Sequence, residues 1–264
     1  MKNSIYQVDA FTNKLYTGNP AAICPLNSWP QDEVMQQIAA ENNLAETAFY
    51  VKEGEYYHIR WFTPTTEVDL CGHATLAAAH VLYNHQGFNA PEAVFNSRSG
   101  LLKVTQSNHL YTMDFPVDTV KEVVMTPLMI NAFSHQPKAA FKGKTDYLFL
   151  FEDEASIAGM EVDLSAIRQL DARGAIITAA GSTCDFVSRF FGPQAGIDED
   201  PVTGSAHTTL TPFWAKRLGK RKMQAKQLSK RGGELTCVLS GDRIELSGEA
   251  VTYLSGEIEL NDGN

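Results

Sequence analysis

The sequence predicts an α+β fold of two like halves, each with one helix apolar enough to be wrapped by a sheet. Three matched anchors carry this expectation. Leu70-Cys71-Gly72-His73-Ala74-Thr75 pairs with a later stretch that ends Thr203-Gly204-Ser205-Ala206-His207. Arg60-Trp61-Phe62-Thr63-Pro64 lies upstream of the first, and Arg189-Phe190-Phe191-Gly192-Pro193 upstream of the second. Arg98-Ser99-Gly100-Leu101 and Arg231-Gly232-Gly233-Glu234-Leu235 follow in the same order. Three anchors in register, about half a chain apart, argue for duplication. The halves divide at 1–117 and 118–264, because Pro116 to Val123 interrupts the strand pattern with polar residues and a proline.

The elements follow from local pattern. Ile5 to Phe11 alternates as a strand, Gly18-Asn19-Pro20 is turn chemistry, and Ala21 to Leu26 is a second strand. Pro30 opens a helix to about Asn42, with Val34, Met35, Ile38 and Ala39 on one face. Glu46 to Val51 and Tyr56 to Phe62 form a hairpin around Glu53-Gly54-Glu55. A helix from Ala74 to Tyr83 precedes strands near 93–96, 101–105 and 110–115. The second half reads as helices near 127–133, 163–170 and 206–218. Its strands fall near 138–141, 147–151, 174–178, 185–191, 235–239, 243–246, 250–254 and 258. Asp163 or Ser165 suits the cap of the middle helix. Pro212 should kink the last helix or cost it a hydrogen bond.

A net charge of −9 argues against a nucleic-acid partner, which needs clustered cations. The basic cluster Lys216 to Lys222 suits the negative end of a helix. No apolar run reaches the ~18 residues of a membrane span, and residues 1–11 lack a signal-peptide core. Four separated cysteines without CxxC spacing read as reduced thiols, so a cytoplasmic location is expected.

Chemistry concentrates at the two helix starts. Unpaired backbone N–H groups there carry partial positive charge, and glycine lets an anion come close. Gly72 and Gly204 are therefore either tight turns or the seats of a small carboxylate. Two such starts related by an approximate twofold would point into one cleft. Glu46, flanked by apolar residues, is either a solvated strand-edge carboxylate or a buried one whose charged form is disfavoured and which can move protons. His73 is a proton donor, a substrate contact or a structural residue. Asp200 orients His73 or Ser205, or shapes its loop. Cys71 aligns with Thr203, so a racemase built on two facing thiols lacks one of them. His80 and His85 have no partners at metal spacing, and no metal is expected. GxSxG, GxGxxG and P-loop patterns are absent from the sequence.

Asn43-Leu44-Ala45-Glu46-Thr47-Ala48-Phe49, the Arg60 and Cys71 stretches, and Gly196 to His207 together resemble the PhzF family of phenazine-biosynthesis-like isomerases. The resemblance implies the diaminopimelate-epimerase-like fold and catalysis without metal or organic cofactor. It casts Glu46 as the proton-moving residue, and His73, Asp200 and Ser205 as the polar groups around it. Gly72 and Gly204 match backbone positions that hold substrate, with Thr203 and Cys71 beside them. Cys71 departs from the phenazine enzyme, which has a small non-thiol residue there, and the phenazine substrate does not carry over. The expected function is proton movement on a small carboxylate substrate, with a homodimer as a further expectation. Two alternatives stay open: an amino-acid epimerase or racemase using Cys71, and a non-catalytic binding or scaffold protein.

Overall fold

The structure, a computed structural model, describes residues 2–260. In chain order the first elements are β1 (Lys2–Ala10), β2 (Asn19–Leu26), α1 (Asp32–Asn42), β3 (Glu46–Glu53), β4 (Tyr56–Phe62), β5 (Glu67–Val68) and α2 (Gly72–His85). Then come β6 (Glu92–Ser97), β7 (Gly100–Ser107), β8 (Leu110–Pro116), β9 (Lys121–Val123), α3 (Pro127–Asn131), β10 (Ala139–Lys142) and β11 (Asp146–Leu150). The chain continues through α4 (Glu154–Ala158), α5 (Leu164–Arg168), β12 (Gly174–Ala180), β13 (Phe186–Gly192), a 3₁₀ turn and β14 (Ile197–Asp200). It closes with α6 (Gly204–Leu218), β15 (Lys222–Gln227), β16 (Gly233–Ser240), β17 (Arg243–Gly248) and β18 (Ala250–Glu259).

Two compact units result: residues up to Asp114 together with those from Ser247 onward, and Phe115–Leu246. The sequence division at 117/118 leaves the closing strand with the second half. In the fold, β18 runs antiparallel to β1 along its whole length, which places it in the first.

In the first unit the strands pair in the order β18–β1–β2–β3–β4–β6–β7–β8. The β2–β3 and β4–β6 pairs are parallel and the others antiparallel. The second unit repeats the scheme as β9–β10–β11–β12–β13–β15–β16, with β11–β12 and β13–β15 parallel. The short strands β5 and β14 hang antiparallel on β4 and β13, each leading into the next long helix.

The helix α2 is buried without a break from His73 to Leu82, so that stretch has no solvent face and is wrapped by β1, β2, β3 and β18. The other face of that sheet packs Phe49, Val51 and Phe62 against Met35 and Ala39 of α1. In the second unit α6 packs on β15 and β16. Its Trp214 stacks on Phe186 and donates Nε1–H to Thr178 Oγ1 at 2.9 Å. Pro212 sits inside α6 without dividing it. Phe133, Phe149, Phe151 and Phe191 fill the opposite core beneath α3, α4 and α5.

Five elements went unread in the sequence: β5, β9, α4, β14 and β15. Four of them have two to five residues, too short to show a period. The fifth, β15, alternates buried Met223, Ala225 and Gln227 with more exposed neighbours, but Ala and Gln are weak markers of a buried face. The last strand is one element, where two were expected near 250–254 and 258.

Candidate active site

Each long helix begins two residues earlier than its apolar run suggests, on the glycine itself. Both preceding residues are extended, Cys71 at φ −143° and Thr203 at φ −110°, and neither caps its helix with a side chain. The first-turn N–H groups are thus not occupied by a side-chain cap, as a docking anion requires. A side chain one turn in braces each start from within. Thr75 Oγ1 donates to the Cys71 carbonyl at 2.6 Å, and His207 Nδ1 donates to the Thr203 carbonyl at 2.8 Å.

An ion pair fixes the strand that leads to each start. Arg60 donates to both carboxylate oxygens of Glu67 at 2.7 and 2.8 Å. Arg189 does the same to Glu199 at 2.7 and 3.0 Å. Such forked pairs hold direction as well as charge.

In the first unit Glu46, Cys71 and His73 come together, at 9%, 6% and 6% exposure. Glu46 opens β3 and lies 3.2 Å through Oε2 from His73 Nε2. That contact is an ion pair by distance, yet neither atom has an aligned hydrogen bond. On the other side of the ring, Nδ1 lies 3.5 Å from Cys71 Sγ and 3.2 Å from Asn19 Nδ2. Asn19 is delivered by a turn that needs glycine: Gly18 has φ +69°, and a Cβ there would lie 2.3 Å from the Ala10 carbonyl oxygen.

Burial works against a charged His73, but the sulfur of Cys71 and the carboxylate of Glu46 outweigh it, and its pKa is raised well above 6.5. Burial, helped by Glu46, pushes the Cys71 thiol up to about 11. The surroundings therefore favour the protonated form of the His73 imidazole, which lies between the Glu46 carboxyl group and the Cys71 thiol. The same three residues offer nitrogen, sulfur and oxygen donor atoms within 4.8 Å of one another.

The second unit carries the other expected residues in two small networks. Asp200 Oδ2 accepts from Thr203 Oγ1 at 2.5 Å, and Gln227 joins the Asp200 carbonyl to the Thr203 amide at 2.7 and 2.9 Å. Ser205 Oγ accepts from Arg173 Nη2 at 3.0 Å. Arg173 is forked onto Asp146, whose side chain is 2% exposed while its own is 39% exposed. His80, which no metal pattern explains, is a core residue held by Tyr111 and Thr252.

Asn19, Gln227 and Arg173 escaped the sequence reading. The repeat held a signal for the last: the β3–β4 and β12–β13 registers align Glu46 with Gly174, which puts Arg173 where the first half has Ala45.

A profile of the phenazine biosynthesis-like protein family matches residues 8–256. This chain belongs to that family. An uncharacterized isomerase of Pseudomonas aeruginosa is 47% identical over 261 residues, covering 99% of this chain and all of the relative. A crystal structure of a PhzF-family phenazine biosynthesis protein from Enterococcus faecalis superposes with a TM-score of 0.97 at 45% identity. It covers 98% of this chain and all of that one. A hydroxyproline epimerase from Agrobacterium vitis shares the fold at a TM-score of 0.63 and 9% identity, over 97% of this chain and 92% of its own. The phenazine biosynthesis-like chain thus has the diaminopimelate-epimerase-like fold, and isomerase function is supported at the level of its family. Among the described residues no helix is long and apolar enough to cross a membrane.

Proposed function

We propose that the protein is an isomerase that moves a proton on a small carboxylate substrate, with Glu46 taking and returning that proton. The observation that carries this reading is the buried carboxyl group of Glu46, whose Oε2 lies 3.2 Å from His73 Nε2 without an aligned hydrogen bond. A buried acid left short of partners is poised to accept one from substrate. His73, kept protonated, stabilises the negative charge that develops when a carbon acid loses its proton. The proton returns to carbon from the same cluster, so no redox change or external acceptor is needed.

The uncapped first turns at Gly72 and at Gly204 each support a role as a seat for a carboxylate. We assign Ser205, oriented by Arg173, and Thr203, oriented by Asp200 and Gln227, to substrate positioning on the same grounds. Cys71 packs against the imidazole and contributes a neutral thiol.

A second reading, epimerisation through Cys71, has the 3.5 Å contact with His73 in its favour. The matching position in the repeat is Thr203, which supplies no second thiol.

The test is solvent deuterium exchange. A panel of small carboxylic and amino acids is incubated with enzyme in D2O and followed by proton NMR for loss of a C–H signal. Wild type is expected to exchange at least one compound, and folded Glu46→Gln to lose that exchange. Exchange by Glu46→Gln at the wild-type rate, or none with any compound, overturns the reading. Retained exchange in Glu46→Gln with loss in Cys71→Ala would instead select epimerisation.

A further inference from the structure

The three residues of the first-unit cluster differ in chemistry in a way that proton transfer does not require. A carboxylate and an imidazole suffice for moving a proton, yet a thiol sits against the same imidazole. All three residues are buried, and one donor atom from each lies within 4.8 Å of the other two. Glu46 Oε2 and His73 Nε2 lie 3.2 Å apart with no aligned hydrogen bond, so neither donor atom is committed to a protein partner once the imidazole gives up its proton. Sulfur, nitrogen and oxygen together match zinc and its thiophilic neighbours, whereas magnesium and calcium seek oxygen alone. Zinc bonds of about 2.0–2.3 Å put tetrahedral ligands about 3.3–3.8 Å apart, so the three donors need only close in by about an ångström.

We propose that Glu46, Cys71 and His73 form a three-ligand binding site for a thiophilic divalent cation of the zinc class, and that an ion bound there blocks proton transfer. The ion would take one oxygen of Glu46, the sulfur of Cys71 and one ring nitrogen of His73. The thiol proton and the proton on the coordinating nitrogen pass to solvent, and no electron changes hands. The fourth position stays open to water or to a carboxylate. Inhibition follows because the lone pair that accepts the substrate proton is then committed to the metal. The binding half of the proposal stands without the assigned function; only the inhibition rests on it.

The test uses the full chain, freed of metal with a chelator and returned to a non-coordinating buffer. Zinc chloride is titrated against a chromophoric zinc chelator, and cobalt(II) is added separately and read by absorbance. One zinc per chain is expected, with a thiolate-to-cobalt charge-transfer band in the near ultraviolet. Cys71→Ser should lose that band and at least about tenfold in zinc affinity, and Glu46→Gln should weaken zinc while keeping the band. Circular dichroism establishes that each variant is folded. Absence of stoichiometric zinc, absence of the cobalt band in wild type, or an affinity that Cys71→Ser leaves unchanged overturns the site. Zinc bound through Cys71 by a protein that never exchanges substrate protons would keep the metal site and remove the isomerase reading. Exchange that continues unslowed with zinc bound would remove the inhibition alone.

Discussion

The two halves repeat one topology over seven strands each, down to the parallel pairs and the forked arginine–glutamate bridge, yet their helix starts hold different chemistry. In the first half an acid opens the strand at Glu46, and the residue aligned with Asp200 is Val68. In the second half the acid is Asp200, and the residue aligned with Glu46 is Gly174. The first start has an imidazole and a thiol; the second has hydroxyls and an arginine held by Asp146. Duplication supplied two matching frames. The proposed function assigns proton transfer to the first and positioning to the second, a division that equal backbones do not require.

The sharpest way to break this contrast is to remove one acid from each side. Glu46→Gln should lower proton exchange by about 10²- to 10⁴-fold, the weight of a general acid–base group. Asp200→Asn keeps an acceptor for Thr203 and should weaken substrate binding more than turnover. Exchange rates measured over a range of substrate concentrations separate the two effects. Equal losses in kcat would mean that both halves carry chemistry.

The shared bridge offers the next comparison. Glu67 and Glu199 are 13% and 25% exposed, and each neutralises an arginine that is 13% exposed. Removing a partner from such a pair strands a charge. Glu199→Gln should cost about 2–4 kcal/mol in urea unfolding, because Arg189 keeps the Ile157 and Met160 carbonyls as hydrogen-bond partners but no carboxylate. Glu67→Gln should cost less, because Arg60 retains Asp32 at 2.7 Å. The reverse order would mean that the two bridges do not bear on their loops in the same way.

Much of this was legible in the sequence because a repeat is a long-range signal that survives without any contact being known. The glycines, Cys71, His73 and Ser205 announced themselves by alignment, and Glu46 by its apolar flanks. What stayed hidden depends on side chains meeting across the fold. Asn19 reads as turn chemistry until the turn is seen to deliver its amide to His73. Gln227 lies in a strand too polar to be recognised, and Arg173 looks like a loop cation until Asp146 is found buried beside it.

Histidines sharpen the contrast through pH. His73 is raised well above 6.5, whereas burial pushes His207 of α6 down to about 4. A group with a depressed cationic pKa is protonated first in the unfolded chain, so its stabilisation is whole above pH 6.5 and drains away toward pH 4. For His207 that is about 3 kcal/mol over the window. His80, also pushed down to about 4 by burial and by His85, adds in the same direction. Stability from His73 has the opposite sense: it is present below pH 6.5 and lost as pH rises through its folded value. Urea unfolding between pH 7 and 4 should show the acid loss, and His207→Asn should flatten it. An acid limb that His207→Asn leaves unchanged would place the sensitivity elsewhere.

The smallest effect asks why the second half has no acid where the first has Glu46. A Cβ on Gly174 would lie 2.6 Å from Cζ of Phe190 and 2.6 Å from the Phe191 carbonyl oxygen. The ring could swing aside, but it lies under the Arg173 guanidinium at 5.1 Å, and the carbonyl belongs to the paired strand β13. Gly174→Ala should therefore cost about 1–3 kcal/mol, read as a lower urea midpoint with an unchanged slope. A longer side chain would meet the same ring and the same backbone, so packing excludes a second Glu46 before catalysis is consulted. A Gly174→Ala protein as stable as wild type would show the opposite: space for the acid exists, and only function keeps the two halves unlike.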